Sequence, residues 1–136
     1  MLIEIQNEIL TRLQKISEVP QVDVWQGEET PILEMPQKFP ALWVIYRGAS
    51  FAEKKLIASD RADFTMTFVI FLLHKNLRSR KAGAEEAYGV IESVRGKLIG
   101  YKILTYGWLW PVSEELILAE SGFLGYALEY RLRTNT

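Results

Sequence analysis

The sequence predicts an α+β domain in which two helices pack on one face of a mostly antiparallel sheet. Three observations support this prediction. Residues 63–74 carry an apolar side chain at every second position, as a pleated strand requires. After a basic turn, residues 82–99 repeat apolar residues at steps of three and four, as one face of a helix does. Residues 123–133 alternate apolar and polar side chains, which is typical of an antiparallel strand with one solvent-facing side. The predicted element order is α-β-β-β-α-β-β.

The chain begins with a predicted helix over residues 2–17. Its apolar residues recur at steps of three and four, and its acidic side chains come early and its basic ones late, which suits the helix dipole. Pro20 ends it, because the residue before a proline is disfavoured in the helical conformation. A short alternating strand at residues 22–25 follows. The next segment, residues 26–40, contains three prolines, so we interpret it as an irregular connector.

Residues 41–46 are almost wholly apolar, so we expect a central strand covered on both faces. Residues 47–61 lack a clear period, although residues 49–52 are compatible with a longer strand. We interpret this segment as the arm of a hairpin that projects from the sheet and leads into the strand at 63–74. A connection of this length with little regular structure is uncommon unless it serves binding.

The second helix has predicted signals at both ends. Ser79 is a candidate N-cap, and Gly100 is the expected glycine just past the C-terminus. Gly89 and Gly96 lie inside this helix, where each costs on the order of 1 kcal/mol relative to alanine. We expect them to allow close packing of the helix on the sheet.

Residues 101–117 contain two tryptophans, Trp108 and Trp110, that share one face of an extended strand. Pro111 predicts a strand edge or end. The chain holds four tryptophans and six tyrosines, more than one small core easily accommodates. Because these residue types are favoured in interfaces, two interpretations stay open: a fully buried aromatic set, or an aromatic surface that is covered only in an oligomer.

The totals describe one domain spanning residues 1–136, with a formal net charge of −1 and no cysteine. Near-zero charge argues against a general polyanion binder, and the lack of cysteine excludes disulfides and thiolate chemistry. The N-terminus is acidic, unlike a signal peptide, and the longest apolar run, residues 68–73, is far shorter than the roughly 20 residues of a membrane helix. We therefore expect a soluble, cytoplasmic protein without a membrane partner.

Catalytic chemistry has little support in the sequence. His74 is the single histidine, and no orienting partner for it is evident. The carboxylate pairs at 28–29, 85–86 and 114–115 are adjacent residues, which do not face each other on a helix or strand. No phosphate-binding glycine pattern or metal-ligand spacing occurs. We expect a protein that is not an enzyme and has no cofactor, metal or small-molecule substrate. A small hydrolase around His74 is the remaining catalytic alternative.

One stretch concentrates positive charge, the turn at residues 75–81. It carries four cations and precedes a helix N-terminus, which also attracts anions. A solvated turn is the favoured interpretation, and a contact with an acidic neighbouring subunit or with DNA is the alternative. A small nucleic-acid-binding module that uses this turn is therefore an alternative function.

Three parts of the chain resemble a family of small tail proteins of Mu-like contractile-tailed bacteriophages and prophages. They are residues 35–42 (MPQKFPAL), residues 59–80, and residues 106–111 (YGWLWP) together with residues 128–132 (LEYRL). The resemblance implies a tail terminator, an α+β subunit that forms a hexameric ring on the head-proximal end of the tail. Such a ring stops polymerisation of the tail tube and sheath and presents the surface that joins the head.

The resemblance also implies partners and a location. The partners are further copies of the chain, tail-tube, sheath and head-completion proteins, and DNA that passes transiently through the lumen. The location is the host bacterial cytoplasm during assembly and then the virion tail. From charge and position, we expect contacts to a neighbouring subunit from the arm and contacts to tail, head or DNA from the turn. The candidate residues are Lys54, Lys55 and Arg61 on the arm and Lys75, Arg78, Arg80 and Lys81 on the turn.

Overall fold

Two helices and a six-stranded sheet confirm the predicted α+β class and its element order. The computed structural model describes residues 1–25, 32–34, 37–53, 62–75, 79–120 and 122–135. A two-residue strand between the second helix and the penultimate strand is an addition to the predicted order. The elements are α1 (Leu2–Leu13), β1 (Gln21–Val24), a 3₁₀ turn (Ile32–Glu34), β2 (Ala41–Phe51), β3 (Asp63–Lys75), α2 (Arg80–Leu98), β4 (Lys102–Ile103), β5 (Gly107–Glu120) and β6 (Phe123–Asn135).

The sheet has the strand order β1-β2-β3-β6-β5-β4. All neighbouring pairs are antiparallel except β1 and β2, which run parallel, so the sheet is mixed but mostly antiparallel. The parallel pair arises because the connector between these strands carries the chain back to the end at which β1 began. A parallel pair needs such a crossover, whereas an antiparallel pair can be joined by a tight turn.

The first helix is shorter than predicted, ending at Leu13 rather than at residue 17. Tighter turns replace its last helical turn: the Ile16 N–H donates to the Leu13 carbonyl at 3.0 Å, and the Val19 N–H donates to the Ile16 carbonyl at 3.2 Å. Ile16 remains buried in this conformation. The apolar spacing therefore predicted the burial of this residue correctly but not its backbone conformation.

The second helix has the predicted ends. The Ser79 hydroxyl accepts a hydrogen bond from the Ala82 N–H at 3.0 Å, and Gly100 has a φ of +85°. Against the described residues, the expectation that Gly89 and Gly96 allow close packing is wrong. A Cβ atom placed on either glycine lies more than 4 Å from any described atom outside the helix backbone. Both positions face solvent.

Both helices pack on one face of the sheet, which we call the inner face. The core on the inner face is formed by the even-numbered apolar residues of β3 and by the apolar sides of α1 and α2, as the spacing predicted. The side chains buried there include Ile5, Ile9, Leu13, Met66, Phe68, Ile70, Leu72, Ala87, Ile91, Val94, Leu98, Leu128, Tyr130 and Leu132.

The opposite face, the outer face, carries a smaller apolar cluster of Ala41, Trp43, Phe71 and Leu73. Part of the connector between β1 and β2 packs on it. The Trp43 indole N–H donates to the Gln37 side-chain oxygen at 2.9 Å, and the Gln37 amide donates to the Ile32 carbonyl at 2.6 Å. Residues 41–44 are thus buried from both sides, as predicted, whereas the prediction is wrong for Ile45, which is half-buried, and for Tyr46, which is exposed. We call this part of the outer face the covered half.

The hairpin interpretation of the arm is confirmed for the described residues. β2 continues to Phe51, and the Ala52 N–H donates to the Asp63 carbonyl at 2.8 Å. The pairing with β3 shifts register at Arg47, which forms a bulge between Tyr46 and Gly48. Residues 54–61 of the arm lie outside the described residues.

Gly125 gives a packing prediction on the outer face. A Cβ atom there would lie 2.9 Å from the Leu118 Cβ and 3.0 Å from the Phe71 ring, closer than van der Waals contact. We expect Gly125→Ala to lower the free energy of unfolding by about 1–3 kcal/mol through overpacking. Gly89→Ala is the matched control and should raise the free energy of unfolding by about 0.5–1 kcal/mol, because alanine has a higher helix propensity than glycine and its Cβ atom crowds no described neighbour. Urea unfolding measures both, and equal effects of the two variants would contradict the packing argument.

Tyr130 gives a pH prediction. Its side chain is buried, and its hydroxyl makes no hydrogen bond to any described residue. Burial, with a smaller contribution from Glu114, raises the pKa of Tyr130 from its ordinary 10.0 to about 12. Between these values the unfolded chain loses the proton and the folded chain keeps it, so the free energy of unfolding should fall as pH rises from 10 to 12. Tyr130→Phe should reduce that slope and cost little at pH 7.

The control for this measurement is Tyr101→Phe, whose ring is half exposed. Urea unfolding at pH 7, 10 and 11.5 compares the three proteins. The interpretation fails if Tyr130→Phe and Tyr101→Phe change the slope to the same extent.

Candidate functional site

The two regions predicted to meet partners lie at opposite ends of β3. The arm leaves the sheet before Asp63, and the basic turn begins at Lys75. A strand of this length spans roughly 40 Å. Four of the candidate contact residues lie outside the described residues, namely Lys54, Lys55, Arg61 and Arg78. The other three, Lys75, Arg80 and Lys81, can be placed.

The described cations of the turn have separate local environments. The Lys75 ammonium lies 4.7 Å from the centre of the Phe123 ring, a cation–π distance. Lys81 is largely exposed, with its Nζ atom 3.8 Å from the Glu85 carboxylate one helical turn away. Arg80 is the exposed first residue of α2. Exposed pairs of this kind contribute at most about 1 kcal/mol, so the described part of the turn reads as a solvated surface with a basic character.

His74 is a buried link between the sheet and α2. His74 is buried on the inner side of the sheet, with 4% of the residue exposed. Its Nε2 atom lies 2.7 Å from the Glu86 carboxylate. The sequence did not reveal this partner, because 12 residues and the basic turn separate the two. With so little exposed surface, the imidazole is poorly placed to meet a substrate and well placed to fix α2 on β3.

A cluster of charged side chains lies on the outer face, beyond the covered half. Glu129 of β6 is nearly buried, yet its carboxylate accepts a hydrogen bond from Arg47 Nη1 at 2.5 Å. Arg131, two residues later on the same face, approaches the other carboxylate oxygen at 3.4 Å. Alternation along β2 places Arg47 on the same face as Trp43 and Ile45. A buried carboxylate needs such partners, since an unpaired charge in this position is costly.

These three side chains border an open depression of about 490 Å³, which is lined in addition by Ser50, Thr65 and Thr67. A second depression of about 200 Å³ shares Ser50 and Thr65 and reaches Arg133. Hydroxyl groups and guanidinium groups can donate hydrogen bonds to a carboxylate or a phosphate oxygen. Chemically, the site is suited to holding an anionic group, and it contains no nucleophile–base pair.

Two exposed tryptophans continue this surface toward the edge of the sheet. Trp110 lies directly across from Arg131, and Trp108 is the previous residue on the same face. They are 66% and 56% exposed, and among the described residues Phe51, Tyr88 and Tyr101 are also more than half exposed, so part of the aromatic set lies outside the core. Pro111 lies beside a bulge in β5, which agrees with the predicted edge. We call the surface formed by Arg47, Glu129, Arg131, Arg133, Trp108 and Trp110 the open half of the outer face.

The open half was only partly visible in the sequence. Alternation in the last strand indicated that Glu129, Arg131 and Arg133 share a polar face. Nothing local indicated that Arg47, 82 residues away, would pair with Glu129. Arg47 is the first residue of the predicted arm, whereas the predicted arm contacts Lys54, Lys55 and Arg61 lie further along it, outside the described residues.

Other kinds of site are not indicated. In the part of the chain that the structure describes, no group of three or more His, Cys, Asp or Glu residues could hold a metal ion. No helix among these residues has the length and hydropathy to cross a membrane.

Comparison with known proteins identifies the family. The sequence profile of the Gp37 protein family matches residues 9–136, which is nearly the whole chain. The chain belongs to the Gp37 protein family. Curated proteins give no match.

The fold of this Gp37 family member is similar to that of a solved chain in the "Virion of native gene transfer agent (GTA) particle". The two have a TM-score of 0.62 and 17% sequence identity, and the alignment covers 96% of this chain and 94% of that chain. At this identity the likeness establishes a shared fold over the full domain.

Arg47 carries a stability prediction for this Gp37 family member. Arg47→Ala removes the nearest partner of the nearly buried Glu129 carboxylate, and we expect the free energy of unfolding to fall by about 1 kcal/mol or somewhat more. The largely exposed Lys81→Ala is the control and should change it by less than about 0.5 kcal/mol. Thermal and urea unfolding measure both. If the two variants are equally stable, Glu129 does not depend on Arg47.

Proposed function

We propose that this chain is a structural tail-assembly protein of a phage or prophage, specifically a tail terminator. In this role it closes as a ring, in our proposal a hexamer, on the head-proximal end of the tail. The ring ends growth of the tube and sheath and offers the head-joining surface. The observation that carries the proposal is membership of the Gp37 family over residues 9–136, together with the resemblance of the sequence to Mu-like tail proteins.

The shared fold gives independent support. A chain of an assembled virion particle has the same fold over 96% of this domain. The molecule is also suited to a scaffolding role. A two-sided sheet core supplies rigidity, while the sheet's open half, the arm and the basic turn supply three separate contact regions.

A non-enzymatic role fits the chemistry of the described residues. His74 is buried against α2, and the charged cluster on the outer face pairs two arginines with one carboxylate. Neither arrangement presents an activated nucleophile to solvent. The proposed partners are therefore further copies of this chain, tail-tube and sheath proteins, head-completion proteins and DNA in transit.

The test is a tube-length assay. Tail-tube protein encoded beside this chain is polymerised with and without the purified chain, and tube lengths are measured by negative-stain electron microscopy. We expect shorter tubes of narrower length distribution, with ring-shaped density at one end. Sedimentation velocity of the same mixtures should show the chain moving with the tubes. Unchanged tube lengths and a chain that sediments as a monomer beside the tubes would overturn the proposal.

A further inference from the structure

The open half of the outer face has the composition of a protein-binding surface. Interface hot spots are enriched in tryptophan and arginine, and here two exposed tryptophans flank an arginine cluster. The covered half shows that this face of the sheet accepts apolar packing. Among the described residues, nothing packs on the open half.

The charge of this surface fits an acidic protein segment better than a nucleic acid. Across the two depressions, Arg47, Arg131 and Arg133 stand against the carboxylates of Glu129 and Asp63, which leaves an excess of one positive charge. That excess can match one carboxylate. A duplex presents one negative charge per about 1.7 Å of its axis and is usually met by a broad basic surface, whereas this chain has a formal net charge of −1.

The same chain carries a segment of the matching chemistry. The distal half of β5 presents Glu115 and Glu120, both exposed, with Leu116 and Ile117 between them at 51% and 56% exposure. Glu115 and Glu120 lie on the outer side of β5, whereas Leu116 pairs with Tyr126 on the inner side. The two carboxylates complement the arginines of the open half by charge. This acidic segment, residues 115–120, is distinct from the open half, so one copy can offer the first surface while its neighbour offers the second.

We infer that the acidic segment of one copy docks on the open half of a second copy. The contact is heterologous, because two different surfaces meet, and a heterologous contact that closes on itself makes a ring. Pro111 and two bulges interrupt β5, which disfavours addition of a strand to this edge. The contact is therefore made by side chains. This inference rests on the proposed ring function and names the surfaces that build the ring.

The Glu129 carboxylate has a positioning role in this interface. It accepts hydrogen bonds from Arg47 and Arg131, which both line the depression. The two guanidinium groups are therefore held at its border before a partner arrives. Fixing rotamer-rich side chains in advance reduces the entropy that binding must offset.

A charge-swap experiment tests the inference. Arg133→Glu and Glu115→Arg are made singly and together, at two exposed positions whose side chains are absent from the buried core. Self-association is measured by sedimentation velocity across a concentration series, alone and with tail-tube protein. We expect each single variant to weaken association at least tenfold and the double variant to recover most of the loss. Lys15→Glu, which makes the same charge change at an exposed position beyond the end of α1 and outside the proposed contact regions, should have no effect.

Trp110→Ser supplies a second probe that does not involve charge, and it should also weaken association while the melting temperature stays within a few degrees. Binding of a fluorescent single-stranded DNA 20-mer is measured in parallel. Single variants that associate like the unmodified protein, a double variant weaker than either single one, or a dimer as the end state would overturn the inference. So would DNA binding that Arg133→Glu abolishes while association is unchanged.

The outcomes separate this inference from the proposed function. Tube capping by a ring that the variants do not disturb removes the inference and leaves the function. Self-association that follows the charge-swap pattern without tube capping removes the function and leaves the interface. A chain that stays monomeric both alone and with tube protein removes both.

Discussion

The pairing of β3 with β6 is the constraint on which the rest of the structure depends. The two strands are in continuous register from Asp63 opposite Asn135 to Lys75 opposite Phe123. Side chains along this pair alternate between the two faces of the sheet. Those on the inner face must be apolar, because both helices pack on them, and the others lie on the outer face. With the long pair fixed, β2 and β5 can only add at its two flanks, and α1 and α2 share the single face whose apolar side chains run its full length.

The outer face of the sheet is apolar over only part of its length. Near Trp43 and Phe71 the outward residues are apolar, and part of the connector folds back over them. Toward the arm, the outward residues of β3 are Thr65 and Thr67, which do not require such a cover. Glu129 lies at the boundary, where burial would be costly for a carboxylate without partners. Arg47 of β2 places a guanidinium within hydrogen-bonding distance of this carboxylate. The charged pair is thus made across β3, between side chains of the two strands that flank it.

The sequence predicted the features that depend on local periodicity and failed on those that depend on distant pairing. The alternation in residues 63–74 and the steps in residues 82–99 predicted a strand, a helix and the faces they bury. Ser79 and Gly100 predicted the ends of the helix because capping is decided within a few residues. The end of α1 was missed, since tight turns keep Ile16 buried as a longer helix would. The link from His74 to Glu86 and the link from Arg47 to Glu129 required knowledge of the register between strands and of the position of α2.

The same distinction bears on which surface is read as functional. In the sequence, the turn at residues 75–81 stands out because four of its seven residues are cations, but in the structure Lys81 lies beside Glu85 and Lys75 lies over Phe123. The arginines of the outer face are scattered through the sequence and converge only in the sheet. They share a buried counter-ion, and the tryptophans beside them remain exposed. Burial of exposed aromatic side chains on binding is favourable, and guanidinium groups held in place add directional hydrogen bonds. A chain that assembles with copies of itself needs both an apolar contribution and a directional one, and the open half of the outer face combines them within a few residues.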